Sequence, residues 1–134
     1  WHLRIQSQLG KSRTMTTPMG RKRTFFGMWG DQLFRKAYAF VPQSTVADTL
    51  NLALIKFYNM TKGGEYTTFI KPDIMLQNHD AFVVQCSSDV ISIDQTVLIM
   101  KEAFNIPIYI NGKTLRIPID MKVGKNWDEM TKIE

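Results

Sequence analysis

Ile74-Met75-Leu76-Gln77-Asn78-His79-Asp80-Ala81-Phe82-Val83-Val84-Gln85-Cys86 is the stretch on which the fold reading turns. Two short apolar runs, Ile74-Met75-Leu76 and Phe82-Val83-Val84, flank a polar interruption at Asn78-His79-Asp80. Apolar runs of this length separated by turn-forming residues read as two strands joined by a tight hairpin, with Asp80 at its tip. Working outward, Ser92 to Phe104 has the spacing of an amphipathic helix. Beyond it, Ile108-Tyr109-Ile110 and Thr114-Leu115-Arg116-Ile117 bracket Asn111-Gly112, a dipeptide suited to the left-handed backbone of a two-residue turn. Trp127 closes a final strand-to-turn segment.

Toward the N-terminus, residues 2–12 read as a helix with Leu3, Ile5 and Leu9 apolar and Gly10 available as its stop. Thr14 to Phe26, containing Pro18-Met19-Gly20, reads as strand, turn and strand. Asp31 is a candidate cap for a helix from Gln32 to Phe40, ending before Pro42. Ser44 or Thr45 then starts another helix through Met60, with Val46, Leu50, Ala53, Leu54 and Phe57 at its apolar positions and Gly63-Gly64 as its end. Helices first, then a strand-rich half with one covering helix, predict a single α+β domain over residues 1–134 with a mainly antiparallel sheet.

Composition narrows the function. Hydrophobic residues make up 44% and aromatics 11% of the 134 residues, which predicts a packed core. No apolar run approaches the roughly 20 residues needed to span a bilayer. The absence of an initiating methionine points to an excerpt of a longer chain. The single cysteine, Cys86, excludes an internal disulfide and a multi-cysteine metal site, and fits a reducing cytoplasm. The net charge of +5 is unevenly spread. Residues 1–40 carry eight Lys/Arg against one acid, Asp31, for +7; residues 41–134 carry nine against eleven, for −2. The basic third predicts contact with a polyanion such as nucleic acid.

Asp80 is the residue with the most chemical promise. A carboxylate at a hairpin tip, held by strands on both sides, suits a hard cation such as Mg²⁺ in two-metal phosphoryl transfer; the same residue type also serves turns through local hydrogen bonds. Asp73, Asp89 and Asp120 read as solvated ends of elements. Met15, Met19, Met28, Met60, Met75 and Met100 read as core filling and not as a copper site. Trp29, beside Phe25 and Phe26, reads as packing on a neighbouring helix in preference to stacking on a base. Lys62-Gly63-Gly64 lacks the spacing of a phosphate-binding loop, and Ser87-Ser88 with His2 makes no nucleophile–base pair.

Four motifs occur in one order: Thr17-Pro18-Met19-Gly20-Arg21-Lys22-Arg23, then Ala37-Tyr38-Ala39-Phe40-Val41-Pro42-Gln43-Ser44-Thr45-Val46-Ala47-Asp48, then His79-Asp80, then Ile117-Pro118-Ile119 with Val123-Gly124-Lys125-Asn126-Trp127-Asp128-Glu129. Together they resemble family A (DNA polymerase I-like) DNA polymerases of phage type. In that family they correspond to the Gly-Arg-Arg/Lys-Arg element after the fingers, the Gln-Gly-Thr-Ala-Ala-Asp helix start, the His-Asp-Glu turn and the closing Gly-x-Asn-Trp signature. The resemblance implies the C-terminal part of a polymerase palm, an antiparallel hairpin sheet with packing helices, with the edge of the fingers at residues 1–30. It implies that Asp80 binds catalytic Mg²⁺ and that His79 contacts the primer terminus. It also implies that Gln43 and Arg35 touch primer-template DNA in the minor groove, where acceptors recur on every base pair. Arg21 and Arg23 become candidate phosphate contacts through their forked guanidinium groups.

The resemblance further implies a DNA-directed DNA polymerase that adds dNTPs to primer-template DNA without a membrane, in the host-cell cytoplasm if viral. The remainder of the enzyme, in the same or a separate chain, would carry the second aspartate (motif A) and the fingers lysine (motif B). Neither motif is in these residues, so the isolated chain is expected to be inactive. Departures are Ala81 where Glu is common, Ser44 for Gly and Ala39 for Asn. The missing acid at Ala81 favours the other class, a non-catalytic basic nucleic-acid-binding module or accessory subunit.

Overall fold

Local signals set most of the elements. The computed structural model describes residues 1–62 and 70–133. Among these are helix α1 (His2–Ser12), strands β1 (Thr14–Thr16) and β2 (Lys22–Thr24), helix α2 (Asp31–Lys62), strands β3 (Asp73–Asn78) and β4 (Ala81–Gln85), and helix α3 (Val90–Phe104). Strands β5 (Ile108–Ile110), β6 (Lys113–Leu115), β7 (Met121–Gly124) and β8 (Met130–Ile133) follow. The described residues are α+β, with three helices and antiparallel strands. The strands do not merge into one sheet as expected. They form four separate two-stranded ladders, β1-β2, β3-β4, β5-β6 and β7-β8. A lone hairpin is marginal in water, so each depends on what it packs against.

Two compact units divide the chain, Trp1–Thr49 with Pro107–Leu115, and Leu50–Ile106 with Arg116–Glu134. In the first, α1 buries Ile5 and Leu9 against Met15, Phe25, Leu33, Ala37 and Phe40, while Leu3 is exposed. Gly10 does not stop α1. The stop is Arg13, in the left-handed region at φ 50°, whose N–H donates to the Leu9 carbonyl and satisfies one of the orphan carbonyls of the last turn. In the β5-β6 hairpin, Asn111 and Gly112 take φ of 49° and 74°, the positive pair required by a two-residue turn whose twist matches its strands. Strand β6 ends at Leu115, short of the expected Ile117, as the chain approaches Pro118.

The break expected at Pro42 is absent: α2 is one helix of 32 residues with Pro42 inside it. Thr45, read as a cap, instead lies in the helix and donates its hydroxyl to the Val41 carbonyl at 2.7 Å; Thr49 does the same to Thr45 at 2.8 Å. Pro42 removes one backbone donor and crowds the preceding turn, at a cost of about 3 kcal/mol in a free helix. Burial of Leu33, Ala37 and Phe40 before it and of Leu50, Ala53 and Phe57 after it offsets that cost, at roughly 1.5–3 kcal/mol for each large apolar side chain. The expected stop at Gly63-Gly64 lies outside the described residues.

In the second unit Phe57, Met60, Ile99 and Ala103 form the core, with Ile74, Val84 and Met100 packed on it. Helix α3 begins at Val90, two residues before the expected Ser92, and Asp89 caps it, accepting a hydrogen bond from Ser92 N–H at 2.8 Å. The final segment is a complete hairpin, β7-β8, with strand β8 unanticipated. The methionines also divide. Met15 and Met60 are buried, but Met28 and Met75 are exposed, so core filling does not describe those two. No helix among the described residues is long and apolar enough to cross a membrane.

Candidate nucleic-acid and metal site

Asp80 and His79 are the two loop residues of the β3-β4 hairpin, between the paired Asn78 and Ala81. His79 takes φ of 52°, the left-handed value that such a loop needs at its first position. Both side chains are exposed, as expected for the tip. Ring, core and hydrogen-bond contacts fix the hairpin beneath them. Phe82 stacks on Phe104 of α3, with ring centroids 5.2 Å apart and planes 10° apart, and tilts against Phe57 of α2 at 5.9 Å. Ile74 and Val84 pack on the core. Gln77 donates to the Asn51 side chain of α2 at 3.2 Å. A bulge between Ile74 and Leu76 leaves Met75 without a cross-strand partner, and bulges increase the local twist that aims a hairpin tip.

The carboxylate at Asp80 has no hydrogen-bond or ion-pair partner among the described residues, and Ala81 supplies no second acid. No group of three or more His, Cys, Asp or Glu side chains gathers to hold a metal among the described residues. Mg²⁺ prefers six oxygens and accepts one or two carboxylates with phosphates and water completing the shell. These residues therefore fit one ligand of a shared site, not a whole one.

The basic residues lie in the first unit. Gln43 and Arg35 are exposed on α2, eight positions apart and so about 12 Å along the helix axis. Arg23 on β2 sets its guanidinium over the Phe25 ring at 5.0 Å and the Phe40 ring at 5.9 Å, a cation–π arrangement that leaves its N–H edge available. Arg21 is differently placed. Its fork grips the Asp48 carboxylate, Nε lying 2.9 and 3.0 Å from the two oxygens and Nη2 bonding Oδ1 as well. Asp48 raises the Arg21 pKa above its ordinary value by hydrogen bonding first and by charge second.

Neither a family model, nor a curated protein, nor a solved structure matches the chain.

The sequence left two features unassigned. Asp48 sits in the Gln43-to-Asp48 motif without a role, and no local pattern could have linked it to Arg21. The Phe25-Phe26-Gly27-Met28-Trp29-Gly30 run was visible as an aromatic cluster between glycines, but not as an exposed loop. Trp29 packs edge-on against Phe34 of α2, centroids 5.1 Å apart, and lies under the Arg13 guanidinium at 5.6 Å, so the helix-packing expectation holds. The closing Gly124-to-Glu129 signature builds its own turn. Asn126 Oδ1 accepts from the N–H of Asp128 and Glu129 at 3.0 and 2.9 Å, and its Nδ2 donates to the Glu129 carboxylate. A Cβ on Gly124 would overlap the Glu129 carbonyl.

Proposed function

We propose that this chain is the C-terminal palm segment of a family A DNA polymerase, contributing one metal-binding carboxylate and primer-template contacts to nucleotidyl transfer. The observation that carries the reading is Asp80, an exposed carboxylate with no partner among the described residues, at the tip of a braced hairpin, in a His79-Asp80 pair that falls third among four motifs in family order. Asp80 would hold Mg²⁺, which when bound supplies charge stabilisation for an attacking 3′ oxygen and a triphosphate. His79 beside it would contact the primer end. Gln43 and Arg35 would check base-pair geometry from the minor groove, and Arg21 and Arg23 would hold phosphates. A second aspartate, the fingers lysine and the dNTP pocket belong to the remainder of the enzyme.

The test joins the chain to an upstream segment bearing motif A and the fingers lysine, then measures single-turnover incorporation with Mg²⁺. Asp80→Ala should slow incorporation by about 10²- to 10³-fold or more while primer-template affinity stays within about twofold. Near-normal incorporation by this variant would overturn the reading.

A non-catalytic nucleic-acid-binding module is the second reading. Ala81, where the family commonly has Glu, and the charge concentrated in residues 1–40 favour it. Under that reading Asp80→Ala changes nothing, because Asp80 only closes a turn.

A further inference from the structure

Between β2 and α2 the chain does something costly: it places Phe26 and Met28 in water, 88% and 92% exposed, with Trp29 half-exposed beside them. The loop is not slack. The Arg13 carbonyl accepts from Phe25 N–H at 2.9 Å, and the Arg13 guanidinium donates to the Gly27 carbonyl at 2.7 Å and, more weakly, to the Phe25 carbonyl at 3.4 Å. Arg13 thus ties the loop from both sides while its own ring partner, Trp29, is held by Phe34. A cleft of about 470 Å³ opens along this loop, with Arg23 and Lys36 on its wall and Asp31 the only acid lining it among the described residues. Large apolar side chains fixed in solvent and rimmed by cations form a surface with two chemistries, flat hydrophobic faces and positive charge.

Single-stranded nucleic acid offers the complement of both. Its unpaired bases expose π faces that stack on aromatic rings, and its phosphates meet guanidinium and ammonium groups. Duplex DNA satisfies only the second, since its base faces are covered by neighbouring pairs. A second copy of this chain offers apolar side chains but repels the cations of the rim, because each copy carries +5. We propose that the Phe26–Trp29 loop is a stacking platform for unpaired bases of single-stranded DNA, with Arg23 and Lys36 holding the adjoining phosphates. The proposal rests on the DNA-handling reading above and adds a site distinct from its duplex contacts, one suited to an unpaired stretch of template.

The test compares the 134-residue chain with Phe26→Ala and with Met28→Ala, side chains too exposed for their loss to disturb the core. Fluorescence anisotropy would follow a labelled oligothymidylate of about 15 nucleotides and a duplex of equal length. Phe26→Ala should weaken oligothymidylate binding about 5- to 100-fold, the range for losing one stacked base, and leave duplex binding within about twofold. Met28→Ala, which removes no ring, should lose less. Equal losses on both probes, or no loss on either, would overturn the platform. So would tighter binding of the parent chain to phosphatidylserine vesicles than to oligothymidylate, with that vesicle binding lost in Phe26→Ala; the loop would then be a membrane-surface anchor. The two readings fail separately. Incorporation by the joined enzyme without an effect of Phe26→Ala would sink only the platform, and selective oligothymidylate loss with unchanged incorporation in Asp80→Ala would sink only the polymerase.

Discussion

Arg21 and Asp48, 27 positions apart, form a forked ion pair that ties the β1-β2 turn to the middle of α2. Asp48 is largely buried at 15% side-chain exposure and Arg21 is half-exposed at 51%, so the guanidinium reaches inward to the acid while one side faces solvent. A phosphate approaching Arg21 must compete with a carboxylate already seated in the same fork.

That competition has a measurable sign. Asp48→Asn removes the competing carboxylate, so Arg21 should hold its phosphate more firmly, duplex affinity should rise, and the plot of log K against log salt should steepen by up to about 0.9, the value for one full phosphate contact. Arg21→Ala combined with Arg23→Ala should lower affinity and flatten the slope. Anisotropy titrations at four salt concentrations measure both, and an unchanged slope in the double variant would remove these arginines from the phosphate contacts.

Gln43 sits one residue beyond Pro42 on the exposed side of α2. In the joined enzyme, Gln43→Ala should slow incorporation moderately, by about tenfold, and relax discrimination against a mispaired primer end, because one minor-groove hydrogen bond that tests pair geometry is gone. Single-turnover rates on matched and mismatched termini give the ratio. A rate loss identical on both would make Gln43 a structural residue.

Three carboxylates tie stability to pH. Hydrogen bonding to Ser92 holds the Asp89 carboxyl below its usual range; Lys56 does the same for Glu102 and Lys132 for Asp120, through hydrogen bonding and charge. Depressed folded-state values mean these groups stabilise the fold above their unfolded pKa, about 3.9 for Asp and 4.3 for Glu, and lose that contribution as pH falls through the lower folded values. Melting temperature should therefore drop from about pH 5 downward. Asp89→Asn keeps a cap but removes its titration, so its melting curve should match the parent at pH 7 and fall less steeply in acid. Equal acid sensitivity in both proteins would deny Asp89 its part.

Short-range signals were readable and long-range ones were not. Asn111-Gly112 and His79-Asp80 announce their turns because two-residue loops demand backbone angles that few residues accept. The apolar spacing of Leu50, Ala53 and Phe57 reports a buried helix face directly. Pro42 misled because its effect on a helix is local, whereas the packing on either side that outweighs it involves residues distant in the chain. The same reason hid Asp48 behind Arg21 and the exposure of Phe26, both of which depend on what lies across space. Strand β8 escaped because Met130-Thr131-Lys132-Ile133 has no strong alternation, and its pairing with β7 is enforced by the Asn126 turn.

With the described strands arranged only in pairs, each one has an unzipped side along which another backbone could add. Such borders invite aggregation, and charged side chains on them are a known deterrent. Lys22, Lys113, Lys122 and Lys132 each lie on a strand and are exposed, one apiece on β2, β6, β7 and β8. On β3 and β4, the ladder that carries Asp80, the only charge is Asp73, already engaged by Lys62. The ladder nearest the proposed chemistry is thus the least guarded against its neighbours in a concentrated solution.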